Sequence, residues 1–543
     1  MIGWQTWKRR PAASLLLSLL ASCLLPSCRH QTRVEQGDQT QTLHEGVGYE
    51  LVTLDPQVTT GTAAQSIATA LFEGLTREDG RDLHPVPGVA DTWTVASDQL
   101  HYSFHLRPDA RWSDGTPVTA DDFVASWRRV LTPSFAAENA NLLFVLRGAE
   151  AFYRGETTNF ATVGVHAADA RTLDVELAHP APYFLALLSN MAWLPVPTKV
   201  IAAHGALYTP GNDWAKPGSL VGNGPFVLTS WQTDQDVVVT RSDTYWDHSH
   251  VRLNSIHFYP IDSVDTEERS FRAGQLHLTD ALTAGHLDLY RNAKPPVLRI
   301  DPYLATYFYR INVRRPFLND PRIRRALALA VDRTGIVKRV LRGGQQPAPA
   351  FTPPGIGGYN PEPVLATNYA EARALLAAAG HPHGVGLPVF ELSLNTSENH
   401  QAIAEAVQEV WRRELGVEIR IEAQENKTLL AARSTGDYDI LRSDWVADYA
   451  DPTSFLNVFR GDSGNNLTGW SDAKYDALLK AAEKATTPED RHSLWRHAEH
   501  ELLTEAPIIP IYYYTHVFLI RPSVQGWYPT LLDHHPYQEV WLK

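Results

Sequence analysis

Two strings in the sequence combine residue types that cleave peptide or ester bonds. Ser463 lies in Gly461-Asp462-Ser463-Gly464, a string that carries the nucleophile in serine proteases, and His204 precedes it in the chain as a candidate base. Those proteases are disulfide-rich β proteins, whereas this chain has helical patterns throughout and both of its cysteines precede residue 29. We therefore expect Ser463 to lie in a surface turn, and a secreted hydrolase remains a remote alternative.

Metal and cofactor motifs are weak in this sequence. The string His497-Ala498-Glu499-His500 has its histidines three residues apart, whereas a helical zinc pair needs a spacing of four, so we expect an exposed helix face. Asp533-His534-His535 contains ligand-type side chains without a defined spacing. Gly355 and Gly357 follow a Pro-Pro pair rather than a strand, which argues against a dinucleotide-binding loop. The sequence predicts no cofactor and no metal site.

The composition is that of a globular protein. Hydrophobic residues make up 44% and charged residues 20% of the 543 residues, a length that corresponds to roughly three to four domains. Acidic residues outnumber basic ones by 61 to 48. Because binding to nucleic-acid phosphates needs the opposite balance, the composition argues against a nucleic-acid partner.

The N-terminal region has the pattern of an export signal. A basic trio at positions 8–10 precedes the apolar stretch 11–27, which is too short for an ordinary membrane-spanning helix. A signal that ends in a cysteine resembles that of a bacterial lipoprotein. Cys23 follows the small residues that favour lipidation, whereas Cys28 is followed at once by a polar stretch. We predict a signal over 1–28, a tether over 29–44 and lipidation at Cys23, with Cys28 and plain secretion as alternatives.

Hydrophobic spacing along the rest of the chain changes between strand and helix patterns. Residues 389–394 predict a strand, residues 401–415 an amphipathic helix ended by Gly416, and residues 417–421 a second strand. A crossover of this kind favours a parallel sheet. Further strands are predicted over 99–106, within 221–246 and over 256–261, and further helices after Thr119, over 323–341 and over 369–379. The chain is therefore expected to be an α/β protein.

Aromatic and basic residues form clusters. There are 15 Trp, 21 Tyr and 18 Phe, and several lie together in 303–309 and in Tyr512-Tyr513-Tyr514. Sheet packing explains most of them, but some of these strands are expected to border a cleft, where aromatic walls suit ligand burial. The basic residues along 323–341, among them Arg324 and Arg333, predict a solvated helix face.

One stretch of the sequence indicates a family. Residues 107–123, which read Arg-Pro-Asp-Ala-Arg-Trp-Ser-Asp-Gly-Thr-Pro-Val-Thr-Ala-Asp-Asp-Phe, closely resemble the signature of the family 5 extracellular solute-binding proteins of bacterial ABC importers, and among them the oligopeptide-binding proteins. Further blocks agree in order, namely Leu54-Asp55-Pro56, Leu71-Phe72-Glu73-Gly74-Leu75, Asn223-Gly224-Pro225-Phe226, Asp320-Pro321-Arg322-Ile323-Arg324 and Asp451-Pro452-Thr453-Ser454-Phe455-Leu456-Asn457.

The resemblance implies an α/β periplasmic-binding-protein fold of type II, cluster C, with two lobes that close around the ligand by hinge motion. The expected division places the first lobe at 45–72, 197–304 and 516–543, an inserted small domain at 73–196 and the second lobe at 305–515. Relatives of this kind enclose a short extended peptide, bind its main chain by strand-like hydrogen bonds and leave its side chains in hydrated pockets.

The resemblance also implies the binding residues. Asp448 matches the family aspartate that pairs with the peptide α-ammonium, and Arg442 and Arg433 match arginines that reach the C-terminal carboxylate. Aromatic character at family cleft positions is kept by Tyr303, Trp445 and Tyr514.

Three positions depart from the family pattern. Asp444 stands where glycine is usual, Asn426 where a side-chain pocket often has tryptophan, and Phe308 where tyrosine is found. These changes bear on ligand charge, peptide length and side-chain preference.

The sequence, with this resemblance, predicts a monomeric, non-enzymatic peptide-binding protein of the periplasm or outer cell surface. We expect it to contact the membrane through its lipid anchor alone and to deliver short peptides to the permease subunits of an ABC importer. A binder of the same family for murein peptide, dipeptide, a nickel chelate or an oligosaccharide is the alternative.

Overall fold

The fold is known from a computed structural model that describes residues 1–5, 31–485 and 487–543. Most of the predicted signal, and with it Cys23 and Cys28, lies outside the described residues. Among the residues that are described, no helix combines the length and the apolar character needed to cross a membrane.

The strands of the described residues form three larger sheets and two short pairs. One four-stranded sheet has the spatial order Thr42–Gly46, Ser255–Tyr259, Asp236–Arg241, Phe226–Gln232. The other four-stranded sheet has the order Ala90–Val95, His101–Leu106, Thr172–Glu176, Val165–Asp169. The third has six strands, in the order Gln346–Pro347, Ile508–Leu519, Leu298–Ile311, Ile440–Val446, Phe390–Asn395 and Ile419–Gln424. The short pairs are Thr76–Glu78 with Pro85–Pro87 and Val524–Gln525 with Trp541–Leu542.

Helices surround these sheets. The longer α-helices are Arg33–Thr40, Thr62–Leu71, Ala120–Leu131, Val264–Arg272, Pro321–Leu329, Tyr369–Ala378, Glu398–Leu415, Asn426–Thr435, Ala473–Glu483 and Pro488–Glu505. The shorter helical segments include Ala149–Tyr153, Phe184–Leu187, Thr198–His204, Leu287–Tyr290, Arg333–Gly335 and Thr453–Leu456, together with the π-helical turn Ile336–Leu341.

The predicted strand–helix–strand crossover is confirmed. Strand Phe390–Asn395, helix Glu398–Leu415 and strand Ile419–Gln424 follow one another, and the two strands pair in parallel. Gly416 ends the helix with a positive φ of 68°, a backbone conformation that glycine adopts without steric cost. The predicted helix after Thr119 is also present, and the Thr119 N–H donates a hydrogen bond to Asp122 Oδ2 at 2.8 Å.

The helix predicted over 323–341 is interrupted, and part of its basic face is buried. Helix Pro321–Leu329 ends at Ala330, and a separate turn starts at Arg333. Arg324 and Arg333 are both about 2% exposed. Their guanidinium groups donate to backbone carbonyls instead of water: Arg324 donates to Glu505 O at 2.8 Å, and Arg333 donates to Pro510 O at 2.8 Å. The prediction of a solvated face is therefore wrong at these two positions.

The helix that carries His497 and His500 exposes both histidines but buries Glu499. The Glu499 carboxylate accepts hydrogen bonds from the N–H groups of Phe351 and Thr352 and, at 2.7 Å, from the Tyr359 hydroxyl. The expectation of a fully exposed face is wrong for Glu499, because this carboxylate satisfies donors of a distant loop.

Two apolar cores lie on either side of a pair of long strands. The first core contains residues between 43 and 278, Tyr449, and apolar residues from Phe518 onward, and the second contains residues between 304 and 512 together with Leu532. Strands Leu298–Ile311 and Ile508–Leu519 pair antiparallel along most of their length. Strand Ile508–Leu519 contributes Ile508 to the second core and Phe518 to the first, so it connects the two cores. The exact domain boundaries stay a prediction.

Candidate functional site

The candidate site lies along the free edge of a strand. Strand Ile440–Val446 pairs along its whole length with Leu298–Ile311, but among the described residues it pairs with Phe390–Asn395 only through Ile440 and Leu441. Residues 442–446 therefore have a strand neighbour on one side. A free strand edge presents backbone N–H and C=O groups that can pair with an extended chain.

Side-chain alternation separates the predicted residues of this strand. Arg442 and Asp444 lie on one face, and Ser443 and Trp445 on the other. The Trp445 indole N–H donates to Ser454 O at 2.6 Å, and the ring packs against the second core. The structure thus places Trp445 away from the face that carries Arg442.

The Arg442 face is lined by tyrosines from the two long strands. Tyr307 stacks on Tyr512 with ring centroids 4.8 Å apart, and the predicted residues Tyr303 and Tyr514 are brought together at 6.2 Å. Arg442 Nη2 donates to the Tyr514 hydroxyl at 2.9 Å. Its guanidinium carbon lies 5.0 Å from the centre of the Tyr307 ring, within the range of a cation–π interaction.

Several buried polar atoms around Tyr307 have no hydrogen-bond partner among the described residues. They are His400 Nδ1, Arg442 Nε and the hydroxyl oxygens of Tyr307 and Tyr309. The rings of His400 and Tyr309 lie 5.5 and 5.9 Å from the Tyr307 ring, so the unsatisfied atoms are close together. Because buried polar atoms are normally paired, such a group marks a place for a polar ligand or water.

His400 is a site residue that the sequence did not predict. Burial and, to a smaller extent, the positive charge of Arg442 hold its pKa well below the ordinary value, so the imidazole is neutral and can accept or donate a hydrogen bond. No local pattern pointed to it, because its neighbours Tyr307 and Arg442 are distant in sequence.

Arg433 lies on helix Asn426–Thr435 and has no carboxylate within salt-bridge distance in the described part of the chain. Its Nε is buried without a hydrogen-bond partner. Asn426, the first residue of the same helix, is exposed, and no described contact joins it to the other predicted site residues. The helix therefore offers one free guanidinium, while Asn426 stands apart.

Asp448 lies two residues beyond strand Ile440–Val446, and the described contacts fix its backbone rather than its carboxylate. Its backbone N–H donates to Ser454 Oγ at 2.9 Å, and no other described residue forms a hydrogen bond or ion pair with its carboxylate oxygens. Burial raises the pKa of this carboxyl to about 7, and the nearby His534 opposes part of the shift. A desolvated carboxylate in this state favours a cationic partner.

His534 approaches Asp448 from another part of the chain. Its Nδ1 contacts Glu78 Oε2 at 2.8 Å, whereas Asp533 Oδ1 contacts His516 Nδ1 at 2.8 Å and His535 Nε2 at 3.0 Å. The side chains of the Asp533-His534-His535 string are therefore engaged in separate ion-pair networks. The residue types of this string had raised metal binding as a weak possibility, and no sequence pattern indicated that His534 lies close enough to Asp448 to affect its pKa.

Two contacts join the surfaces that face each other across this site. The rings of Tyr183 and Tyr449 stack with centroids 4.5 Å apart. Arg154 Nη2 lies 2.7 Å from Asp462 Oδ2. Both contacts connect the region predicted as an inserted domain to residues that follow strand Ile440–Val446.

An α/β fold with two large cores and a free strand edge flanked by charged side chains defines a two-lobed binding protein. Residues 84–466 match the family described as bacterial extracellular solute-binding proteins, family 5. The chain is also 36% identical over 527 residues to the periplasmic oligopeptide-binding protein OppA of Escherichia coli, covering 95% of each chain. The chain belongs to the family 5 solute-binding proteins, and the prediction of a binding protein rather than an enzyme is confirmed.

Related proteins include others with named ligands. The periplasmic murein peptide-binding protein MppA of Escherichia coli is 34% identical over 498 residues, 90% of each chain. The solved structure of Haemophilus influenzae OppA in complex with RPPGFSPFR matches with a TM-score of 0.86 at 31% identity, covering 93% of this chain and 99% of that one. The predicted α/β periplasmic-binding-protein fold is confirmed.

Two solved structures of the MppA relative differ in their likeness to this protein. One matches with a TM-score of 0.85 at 34% identity, covering 92% of this chain and 98% of that one. The other, described as the unliganded open form, matches with a TM-score of 0.67 at 33% identity, covering 93% and 98%. With identity and coverage nearly equal, this protein is more similar in overall structure to the first of these than to the unliganded open form.

Proposed function

We propose that this protein captures short peptides outside the cytoplasm and delivers them to the permease subunits of an ABC importer. The observation that carries the proposal is the Asp448 carboxylate, which lies without an ion-pair partner among the described residues at one end of a free strand edge. Arg442 lies toward the other end of that edge, and Arg433 lies on helix Asn426–Thr435, which precedes the strand; the Nε atom of each is buried without a hydrogen-bond partner in the described part of the chain.

The ends of a free peptide match these charges. The α-ammonium would pair with Asp448, because a desolvated carboxylate gains most from a cation that also donates hydrogen bonds. The C-terminal carboxylate of a short peptide would bind Arg442, with the neutral imidazole of His400 beside it, and that of a longer one would reach Arg433. Asp448 and Arg442 are six residues apart, a distance of about 20 Å along an extended strand before side-chain reach is subtracted.

The strand edge supplies the part of recognition that does not depend on sequence. Backbone groups of residues 442–446 would pair with the main chain of an extended peptide, as in strand addition. The peptide would thereby touch both lobes and favour the closed arrangement, which is the form expected to dock on the permease. The contacts Tyr183–Tyr449 and Arg154–Asp462 support a closed arrangement of this kind.

The names of relatives support peptides as the ligand class. They include oligopeptide-, dipeptide- and murein peptide-binding proteins, and one relative is named as a probable deoxycholate-binding protein. Deoxycholate, oligosaccharides and nickel chelates lack the α-ammonium that would use Asp448. Among the peptide ligands, the arrangement favours those with a free N-terminus.

Blocking the peptide ends tests this proposal. Isothermal titration calorimetry would compare a free tripeptide with its N-acetylated and C-amidated forms, and mass spectrometry would identify small molecules that copurify with the protein. We expect the free peptide to bind, acetylation to abolish most of the affinity and amidation to weaken it. Equal binding of the acetylated peptide, or copurification of a sugar or bile acid, would contradict the proposal.

We also propose a lipid anchor at Cys23, with Cys28 as the alternative. This part of the proposal is supported by the sequence pattern alone. Mass spectrometry of the protein extracted from membranes would detect a lipidated N-terminal cysteine. Replacement of Cys23 by alanine should release the protein from the membrane fraction, whereas replacement of Cys28 should not.

A further inference from the structure

A second carboxylate lies in the cleft between Asp448 and the arginines. Asp444 shares the face of strand Ile440–Val446 with Arg442, and its side chain is 41% exposed, compared with 13% for Arg442. Its negative charge contributes to the raised pKa of Tyr49 and of Tyr303, both of which lie outside this strand, so the carboxylate lies near these two phenols.

The Asp444 carboxylate is incompletely satisfied. Oδ2 lies 3.3 Å from Arg442 Nη2, and this is the one ion pair that Asp444 forms among the described residues. Its oxygens accept no hydrogen bond from the described part of the chain, although a carboxylate has about four acceptor positions. Arg442, in contrast, also donates to Tyr514 and Asn395.

This pairing sets a condition on short ligands. A ligand carboxylate that binds Arg442 competes with Asp444 for the same guanidinium. Asp444 would then lose its one ion-pair partner among the described residues, which is unfavourable where the cleft shields it from water. A cationic side chain on the ligand would restore the balance, because it gives Asp444 a new partner while Arg442 takes the carboxylate.

The spacing indicates where that cation must lie. Asp444 is four residues from Asp448, which corresponds to at most about 13 Å of extended chain. With the ligand ammonium at Asp448, the second and third residues of an extended ligand lie about 3 to 7 Å from its first residue in the direction of Asp444. A lysine side chain at either of these residues spans the remaining distance to the Asp444 carboxylate.

Resting on the proposed function, we infer that Asp444 makes the cleft selective for short peptides with a cationic side chain at the second or third residue. Short peptides with a neutral or acidic residue there are disfavoured. Longer peptides, whose carboxylate reaches Arg433, leave the Arg442–Asp444 pair intact, so they bind without needing a cationic side chain at these positions.

Paired tripeptides test the inference. Calorimetry would compare Ala-Ala-Lys with Ala-Ala-norleucine and Ala-Lys-Ala with Ala-norleucine-Ala, since norleucine keeps the aliphatic chain and removes the charge. The wild-type protein should bind the lysine peptide about tenfold more tightly in at least one pair, and Asp444→Asn should remove that preference. Equal affinities within both pairs in the wild type, or a lysine preference that survives in Asp444→Asn, would overturn the inference.

Two further variants separate this inference from the proposed function. Asp437→Asn removes a charge that is 84% exposed and paired with Arg315 rather than with Arg442, so the lysine preference should persist. Asp448→Asn should weaken all four peptides and leave the lysine-to-norleucine ratio unchanged. A preference that depends on Asp444 alongside unaltered affinity in Asp448→Asn would support the inference and refute the assignment of the ammonium site. Melting temperatures of all variants would show that each is folded.

Discussion

Tyr183 stacks on Tyr449, with ring centroids 4.5 Å apart and ring planes inclined by 17°. Tyr449 directly follows Asp448, whereas Tyr183 lies in the region predicted as the inserted domain. The contact therefore links the residue beside the proposed ammonium site to the opposite side of the cleft. Ligand binding at Asp448 and closure of the lobes would thus share one short segment of chain.

Loss of this stack should favour the open arrangement. An aromatic pair contributes about 1 kcal/mol beyond the area it buries, so Tyr183→Ala should weaken peptide binding by roughly fivefold. Small-angle X-ray scattering should show a larger radius of gyration for the unliganded variant than for the wild type. Tyr528→Ala, at a side chain that is 42% exposed, serves as the control. Unchanged affinity and radius in Tyr183→Ala would show that the stack does not contribute to closure.

The Leu-Asp-Pro block near the start of the chain should be important for stability. Asp55 Oδ2 lies 2.6 Å from Arg129 Nη2, and the two side chains are 6% and 1% exposed. The same oxygen accepts a hydrogen bond from the Trp214 indole N–H at 3.1 Å. Asp55→Ala would leave the Arg129 charge buried without its partner, and urea unfolding should show a loss of about 3–5 kcal/mol.

A surface ion pair provides the comparison for this experiment. Asp213 pairs with Lys216, and their side chains are 73% and 60% exposed. Asp213→Ala should change stability by less than about 1 kcal/mol, because water screens exposed pairs. Similar losses of unfolding free energy in the two variants would show that burial of the Asp55–Arg129 pair does not determine its contribution to stability.

Glu499 should make stability depend on pH. Burial raises the pKa of its carboxyl from 4.5 to about 7, although hydrogen bonds from Thr352, Tyr359 and Phe351 oppose the shift. Because the folded-state pKa is above the unfolded one, its contribution is fully present below pH 4.5 and is lost as pH rises through 7. Between pH 5 and 8 this loss corresponds to about 2 to 3 kcal/mol.

The neutral variant Glu499→Gln isolates that contribution. Urea unfolding at pH 5 and pH 8 should show a fall in stability that is smaller in this variant than in the wild type by about 2 to 3 kcal/mol. Glu489→Gln, at a side chain that is 82% exposed, should behave as the wild type. An identical pH dependence in Glu499→Gln and the wild type would mean that Glu499 is charged at both pH values.

Local patterns were sufficient to predict elements whose signals are close together in sequence. The parallel crossover from Phe390 to Gln424 and the helix after Thr119 follow from apolar spacing, a capping residue and a helix-ending glycine. The interruption of the helix at 323–341 and the burial of its arginines could not be predicted from local patterns. Arg324 and Arg333 have the sequence character of surface residues, and their burial is explained only by the distant carbonyls to which they donate. Those carbonyls belong to residues up to 181 positions away.

Only part of the candidate site could be predicted from the sequence. The resemblance to a family indicated Asp448, Arg442 and Arg433, and the structure places Arg442 in strand Ile440–Val446 and Asp448 two residues beyond its end. His400 and His534 could not be predicted, because their roles depend on contacts with residues on other strands and segments.

Replacement of Asp448 tests the central claim most directly. Calorimetry of Asp448→Ala with the tripeptide Ala-Ala-Ala should show binding weakened by about 2–5 kcal/mol, because the ligand ammonium loses its buried partner. The N-acetylated tripeptide, which has no ammonium, should bind equally weakly to the variant and the wild type. If the free tripeptide binds Asp448→Ala as tightly as it binds the wild type, the proposed ammonium site is wrong.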